Sequence, residues 1–165
     1  MRIALIQMPV LPDKVKNIQT ACGKIREAAK NGADFAVLPE MFCCPYDNAC
    51  FRAYGEPEGG PAYQMLSRTA RELNLWLVGG SFPELDGDKI YNTAYVFDPT
   101  GTCVTRHRKM HLFDIDVQGG QSFRESATLS PGNDITLFDT PYGRIGLCIC
   151  FDLRFEELCR LMALE

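Results

Sequence analysis

Short apolar runs alternate with helix-spaced apolar positions along the first half of the chain. Residues 2–8 (RIALIQM) and 34–39 (DFAVLP) have strand length and are apolar enough to be buried on both faces of a sheet. Between them Val15, Ile18, Cys22, Ile25 and Ala29 recur at helical spacing, with Pro12-Asp13 placed to open the helix and Asn31-Gly32 to close it. That is a βαβ unit. Residues 61–73 (PAYQMLSRTAREL) repeat the helical pattern with Pro61 at a first-turn position, and WLVGGSF (76–82) supplies the next strand. IYNTAYVF (90–97) and TCVTRHRKM (102–110) flank Asp98-Pro99-Thr100-Gly101, a hairpin turn signal. A similar pair, ITLFDT (135–140) and RIGLCIC (144–150), flanks Pro141-Tyr142-Gly143. An amphipathic helix begins near residue 153 and is still running at Glu165, without a glycine cap, polar tail or final strand. The pattern is that of an α/β domain cut off inside an apolar helix.

Composition narrows the function classes. A chain of 165 residues suffices for one domain with a core, and no repeat, linker or low-complexity segment marks a second. A net charge of -4 argues against a nucleic-acid-binding surface, and the one basic run, Arg106-His107-Arg108-Lys109, reads as a solvated strand face. No apolar run is long enough to cross a bilayer and the N-terminus lacks a signal peptide, so the sequence reads as soluble, intracellular and cytoplasmic. Eight cysteines in an acidic, helix-containing chain do not form a secreted disulfide framework and are expected to be reduced thiols. No CxxC pair joins them and only His107 and His111 could add imidazole, so no metal or cofactor is expected.

The chemistry concentrates at Cys148-Ile149-Cys150. Alternation puts the two thiols on one face of a strand, Cys148 deeper as a small core residue and Cys150 at the carboxyl end, where α/β proteins gather their sites. Phe151-Asp152 leads from there into the helix, whose N-terminus would favour a thiolate. A nucleophilic cysteine needs a base and an oxyanion stabiliser. His107 and His111 are possible bases. Glu40, at a strand end in AVLPEMF among apolar neighbours, is another, because burial raises a carboxyl group toward useful basicity. Lys109 could direct an ammonium at the oxyanion, and Glu125, in SFRES, could hold that lysine in place.

LPEMF around Glu40, HRKMHLFD around Lys109 and CFDLRFEE around Cys150 resemble, in order, the three signature blocks of the nitrilase superfamily of carbon–nitrogen hydrolases. The resemblance implies Glu40, Lys109 and Cys150 as a catalytic triad, with Glu125 as a second glutamate beside the lysine. It implies cleavage of a carbon–nitrogen bond through a cysteine thioester, with Glu40 as acid and base and the Phe151 N–H helping Lys109 hold the oxyanion. HLFDIDV followed by FRES resembles the omega-amidase branch, which releases ammonia from dicarboxylic acid monoamides such as 2-oxoglutaramate. Arg154 is then the candidate clamp for the distal carboxylate, although it could equally pair with Glu157, and Tyr46 is a weaker candidate for a substrate hydrogen bond.

The family fold is a four-layer α-β-β-α sandwich in a chain considerably longer than 165 residues, so this sequence reads as its N-terminal part, incomplete at the C-terminus. Homodimers or higher oligomers are the family's habit. Where the family often has tyrosine and proline after the cysteine, this chain has Phe151 and Glu156. Other acyl substrates (an N-carbamoyl amine, a nitrile or a deaminated peptide) remain open, as does a non-catalytic interaction module that buries an apolar face against a relative. A cysteine-based redox or metal sensor would rest on the thiol count alone.

Overall fold

The computed structural model describes residues 1–165. Its larger sheet begins with β1 (Ile3–Leu5), β2 (Phe35–Val37) and β3 (Trp76–Val78), which pair in parallel. β3 and β4 (Phe82–Asp86) lie end to end along one edge of β5 (Lys89–Phe97), and β6 (Cys103–Arg108) pairs with the other edge. The run 76–82 is therefore two strands. Gly80, at φ +60°, breaks them apart, and a Cβ there would lie 2.2 Å from the Pro39 carbonyl oxygen. Only glycine admits the loop after β2 this close to the sheet.

Both faces of the central strands are covered, as the continuous apolar run at residues 34–39 predicts for β2. Ala36, Leu77, Tyr95 and Phe97 meet α1 (Lys14–Lys30) and α3 (Pro61–Leu73) in the main core. The alternate residues Phe35, Trp76, Val78 and Val96 meet Phe138 of the smaller sheet, β9 (Thr136–Thr140) with β10 (Gly143–Leu147). On the outer side of β10, Gly146 admits Met162 of α4 (Glu156–Leu164) so closely that a Cβ would lie 2.5 Å from its sulfur. The layers run helix, sheet, sheet, helix.

Several sequence expectations are corrected here. β1 is not buried on both faces, since Ile3 is 48% and Leu5 77% exposed. The inward face of α1 is rotated from the expected one, with Asn17, Ala21, Ile25 and Ala28 buried and Val15 exposed. Asn17 earns its buried place by exchanging hydrogen bonds with the backbone of Leu11, at 2.7 and 2.9 Å. The strand of residues 144–150 ends at Leu147, and the helix expected from 153 divides into a 3₁₀ turn, Cys150–Arg154, and α4, with Phe155 extended between them. The basic run is not a solvated face. Its side chains alternate, so His107 and Lys109 are buried while Arg106 and Arg108 clamp Glu84, and Arg108 also stacks on Tyr91.

Three short elements escaped the pattern. α2 (Asn48–Tyr54) is opened by Asp47, whose carboxylate accepts the Ala49 N–H at 2.9 Å. β7 (Asp114–Asp116) and β8 (Ser122–Arg124) form a hairpin. No helix is long and apolar enough to cross a membrane.

Candidate active site

Four segments that follow strands converge at one place. Glu40 stands three residues past the end of β2, in a turn whose next residue, Met41, has φ +52°. The Met41 N–H donates to the Ser81 hydroxyl at 3.0 Å, and the Phe42 N–H to the Ser81 carbonyl, fastening the turn against the β3–β4 break. Lys109 directly follows β6, its N–H donating to the Asn92 carbonyl and its own carbonyl accepting from Gly132, both at 2.9 Å. Glu125 opens a 3₁₀ turn directly after β8. Cys150 lies three residues past β10, in the left-handed region at φ +47°.

These loops bring the predicted acid–base residues into contact. The buried Lys109 ammonium donates to Glu40 Oε1 at 2.9 Å and lies 2.9 Å from Glu125 Oε2. Burial opposes its charge, but the two carboxylates outweigh that penalty and hold the lysine above its ordinary value. Glu125, fully buried, also accepts the Phe113 N–H on that same Oε2 at 2.7 Å, which fixes it in place. Tyr46 packs edge-to-face on Phe51 and at a tilt on Phe123, and its hydroxyl stands 3.5 Å from the Lys109 ammonium, at the outer limit of a hydrogen bond.

Glu40, Tyr46, Phe113, Cys150, Phe151, Leu153 and Arg154 line a cavity of about 540 Å³. The sequence thus located the catalytic candidates, Tyr46, Phe151 and Arg154 around one place. Arg154 is exposed, and it makes no ion pair with Glu157 or any other residue. The Phe151 N–H donates to no backbone carbonyl. His107 and His111 are removed as candidate bases, because both point a ring nitrogen at Asp152, at 3.0 and 2.9 Å. No group of three His, Cys, Asp or Glu side chains is arranged to hold a metal ion.

The expected thiolate is not what the geometry favours. Desolvation by the cavity wall, then the charge of Glu40 and its hydrogen-bonding contact, push the Cys150 thiol from 9.0 up to about 11, against the pull of Lys109. Solvent still reaches Cys150, and the shift stops short of that at the buried Cys43, which burial pushes up to about 12. The five-residue 3₁₀ turn offers too little helix to compensate. Cys150 therefore rests as a thiol beside a carboxylate.

Two residues of the site went unnoticed in the sequence. Asn92, fully buried in β5, donates from one amide nitrogen to Glu40 at 2.8 Å and to Glu125 at 3.2 Å, bridging the two carboxylates that flank Lys109. Asp152 gathers five donors behind the nucleophile. Asparagine within a strand is a poor strand former, and that mismatch in IYNTAYVF was the available signal. Asp152 gave none beyond its place after the cysteine.

A thiol and a glutamate on one cavity, with a buried ammonium between two carboxylates on an α-β-β-α frame, form the arrangement expected of the nitrilase superfamily. The match to the carbon-nitrogen hydrolase family model runs over residues 2–165, and the chain belongs to that family. It is 52% identical over 162 residues to omega-amidase NIT2 of Bos taurus and 50% identical over 162 residues to that of Homo sapiens. Each alignment covers 98% of this chain and 59% of the relative. The crystal structure of Saccharomyces cerevisiae Nit3, a member of branch 10 of the nitrilase superfamily, superimposes with a TM-score of 0.87 at 42% identity, over 98% of this chain and 59% of that one. The chain thus spans about three-fifths of the length of these relatives.

Proposed function

We propose that this chain carries the reacting groups of an amide hydrolase of the omega-amidase type, acting on a small dicarboxylic acid monoamide such as 2-oxoglutaramate. The observation that carries this is the buried Lys109 held between Glu40 and Glu125 at a cavity that Cys150 also lines. Glu40 takes the Cys150 proton as the sulfur attacks the amide carbon. The Lys109 ammonium and the Phe151 N–H stabilise the tetrahedral oxyanion; loss of one such donor typically costs about 3 kcal/mol of transition-state stabilisation. Glu40 then protonates the departing ammonia and next activates the water that hydrolyses the thioester. Arg154, unpaired at the cavity wall, grips the distal carboxylate with two parallel hydrogen bonds. The names of the relatives support the same substrate class.

The test is ammonia release from 2-oxoglutaramate compared with an N-carbamoyl amine, a nitrile and a deaminated peptide. Cys150→Ala should abolish turnover, and release that survived it would end the scheme. Arg154→Ala should raise KM for the dicarboxylate monoamide while sparing a neutral amide; equal effects on both would remove Arg154 from substrate binding.

A second reading, an interaction module, is favoured by the exposed apolar residues Leu5 of β1 and Leu161 and Leu164 of α4. Homodimers or larger assemblies would cover them. Under this reading the chain would associate in solution without releasing ammonia from any of the four substrates.

A further inference from the structure

Asp152 occupies a place no catalytic step requires. Its carboxylate is fully buried, two residues past the nucleophile. Oδ1 accepts the N–H groups of Met110 at 3.1 Å and His111 at 2.8 Å, the two residues that follow Lys109. Oδ2 accepts the Ile149 N–H at 3.0 Å, from the residue that precedes Cys150. His111 Nδ1 and His107 Nε2 complete the shell, and His107 is anchored on Thr136 of β9 at 2.9 Å. Burial opposes ionisation of this carboxyl, but the imidazoles and backbone N–H groups outweigh it and hold the group down at about 2.

The strand that delivers the nucleophile ends at Leu147, and Cys150 adopts a left-handed conformation that a non-glycine residue does not hold unaided. We propose that Asp152 is a positioning residue, its carboxylate tying the Cys150 turn to the segment that carries Lys109 and so fixing the sulfur against Glu40 and the ammonium. Bonds from a charged acceptor to three N–H groups on two segments form a rigid strap that a neutral side chain cannot reproduce. An asparagine would keep one acceptor and turn an NH2 group toward donors. Only the kinetic arm of the test rests on the amidase reading.

The experiment is Asp152→Asn in the full chain, with alkylation of Cys150 by iodoacetamide followed across pH by peptide mass spectrometry. The titratable and charged groups facing the thiol are Glu40, Lys109, Glu125 and Tyr46, with Arg154 on the same cavity wall. A sulfur released from Glu40 and the cavity wall should titrate lower, so the midpoint should fall from about 11 toward the ordinary 9.0. In parallel kcat should fall on the order of 100-fold with KM changed little, the typical penalty of a misplaced reacting group. Loss of stability alone would leave the midpoint in place. An unchanged midpoint in a folded Asp152→Asn protein overturns the proposal whatever happens to turnover. A shifted midpoint supports it even if the wild type hydrolyses no amide, in which case the amidase reading alone fails.

Should Asp152→Asn not fold, His111→Ala removes one donor from Oδ1 at a partly exposed position. It should move the midpoint the same way by a smaller amount, and no movement would overturn the proposal.

Discussion

Replacing Glu40 by glutamine should change the two kinds of cysteine reactivity in opposite directions. In the wild type the Cys150 thiol is pushed from 9.0 to about 11 by desolvation first and by Glu40 next. Two pH units leave the thiolate about 100-fold scarcer than for an ordinary cysteine, roughly one molecule in 10⁴ at pH 7. Cys150 is thus a poor spontaneous nucleophile at rest, and under the proposed mechanism its reactivity depends on Glu40 taking the proton during attack. Glu40→Gln deletes the negative charge and the base together, while the amide keeps the shape and an acceptor for Lys109 and Asn92. The alkylation midpoint of Cys150 should fall below that of the wild type, because desolvation remains but the carboxylate contribution is gone. Amide turnover should fall by about 10²- to 10⁴-fold, the usual worth of a general base. The sign for pH dependence is fixed: wild-type alkylation rises only toward about pH 11, and the variant begins to rise at lower pH. A wild-type midpoint below 8, or an upward shift on removing Glu40, would refute the thiol–carboxylate ground state. The pH series and the turnover assay use the same protein, whose far-UV circular dichroism must match the wild type, because an unfolded chain would also alkylate with a midpoint near the ordinary 9.0.

Asn92→Leu preserves bulk but removes the donor that spans Glu40 and Glu125. Charge-assisted bonds of this kind are each worth about 1.5–3 kcal/mol, and the lost stability should appear as a lower urea midpoint with an unchanged slope. An unchanged midpoint would mean the bridge is slack. Gly80→Ala puts a methyl 2.2 Å from the Pro39 carbonyl at φ +60°. It should cost at least about 1–2 kcal/mol from the conformation alone and reduce turnover by displacing Glu40. A stable and fully active Gly80→Ala protein would show that the β2 loop approaches the sheet less closely than described.

Much of this molecule was legible in one dimension. The continuous apolar run at residues 34–39 announced a strand covered on both sides, and the Asp98–Gly101 turn set the β5–β6 hairpin. Glu40, Lys109 and Cys150 were picked out as candidates through their local blocks and the end-of-strand rule, and they converge in the fold. The missed parts depend on partners far away in sequence. Asn92 is 52 residues from Glu40 and Asp152 is 41 from His111, so no local pattern links them. The rotated face of α1 has the same cause: Asn17 goes inward because the Leu11 backbone needs it there. The thiolate expectation failed because the helix behind Cys150 turned out to be a short 3₁₀ turn, while a carboxylate stood on the other side.

Glu40 and Lys109 belong to loops of the larger sheet, whereas Cys150 is delivered by the smaller one. Neither sheet alone holds all the groups of the proposed reaction centre. During folding the larger sheet could form with its acid–base pair in place and still be chemically silent until the β9–β10 layer docked. The nucleophile is therefore a clock hand for assembly. Its reactivity reports the moment the two layers come into register, and any later slippage between them would be felt first as a loss of chemistry rather than of secondary structure.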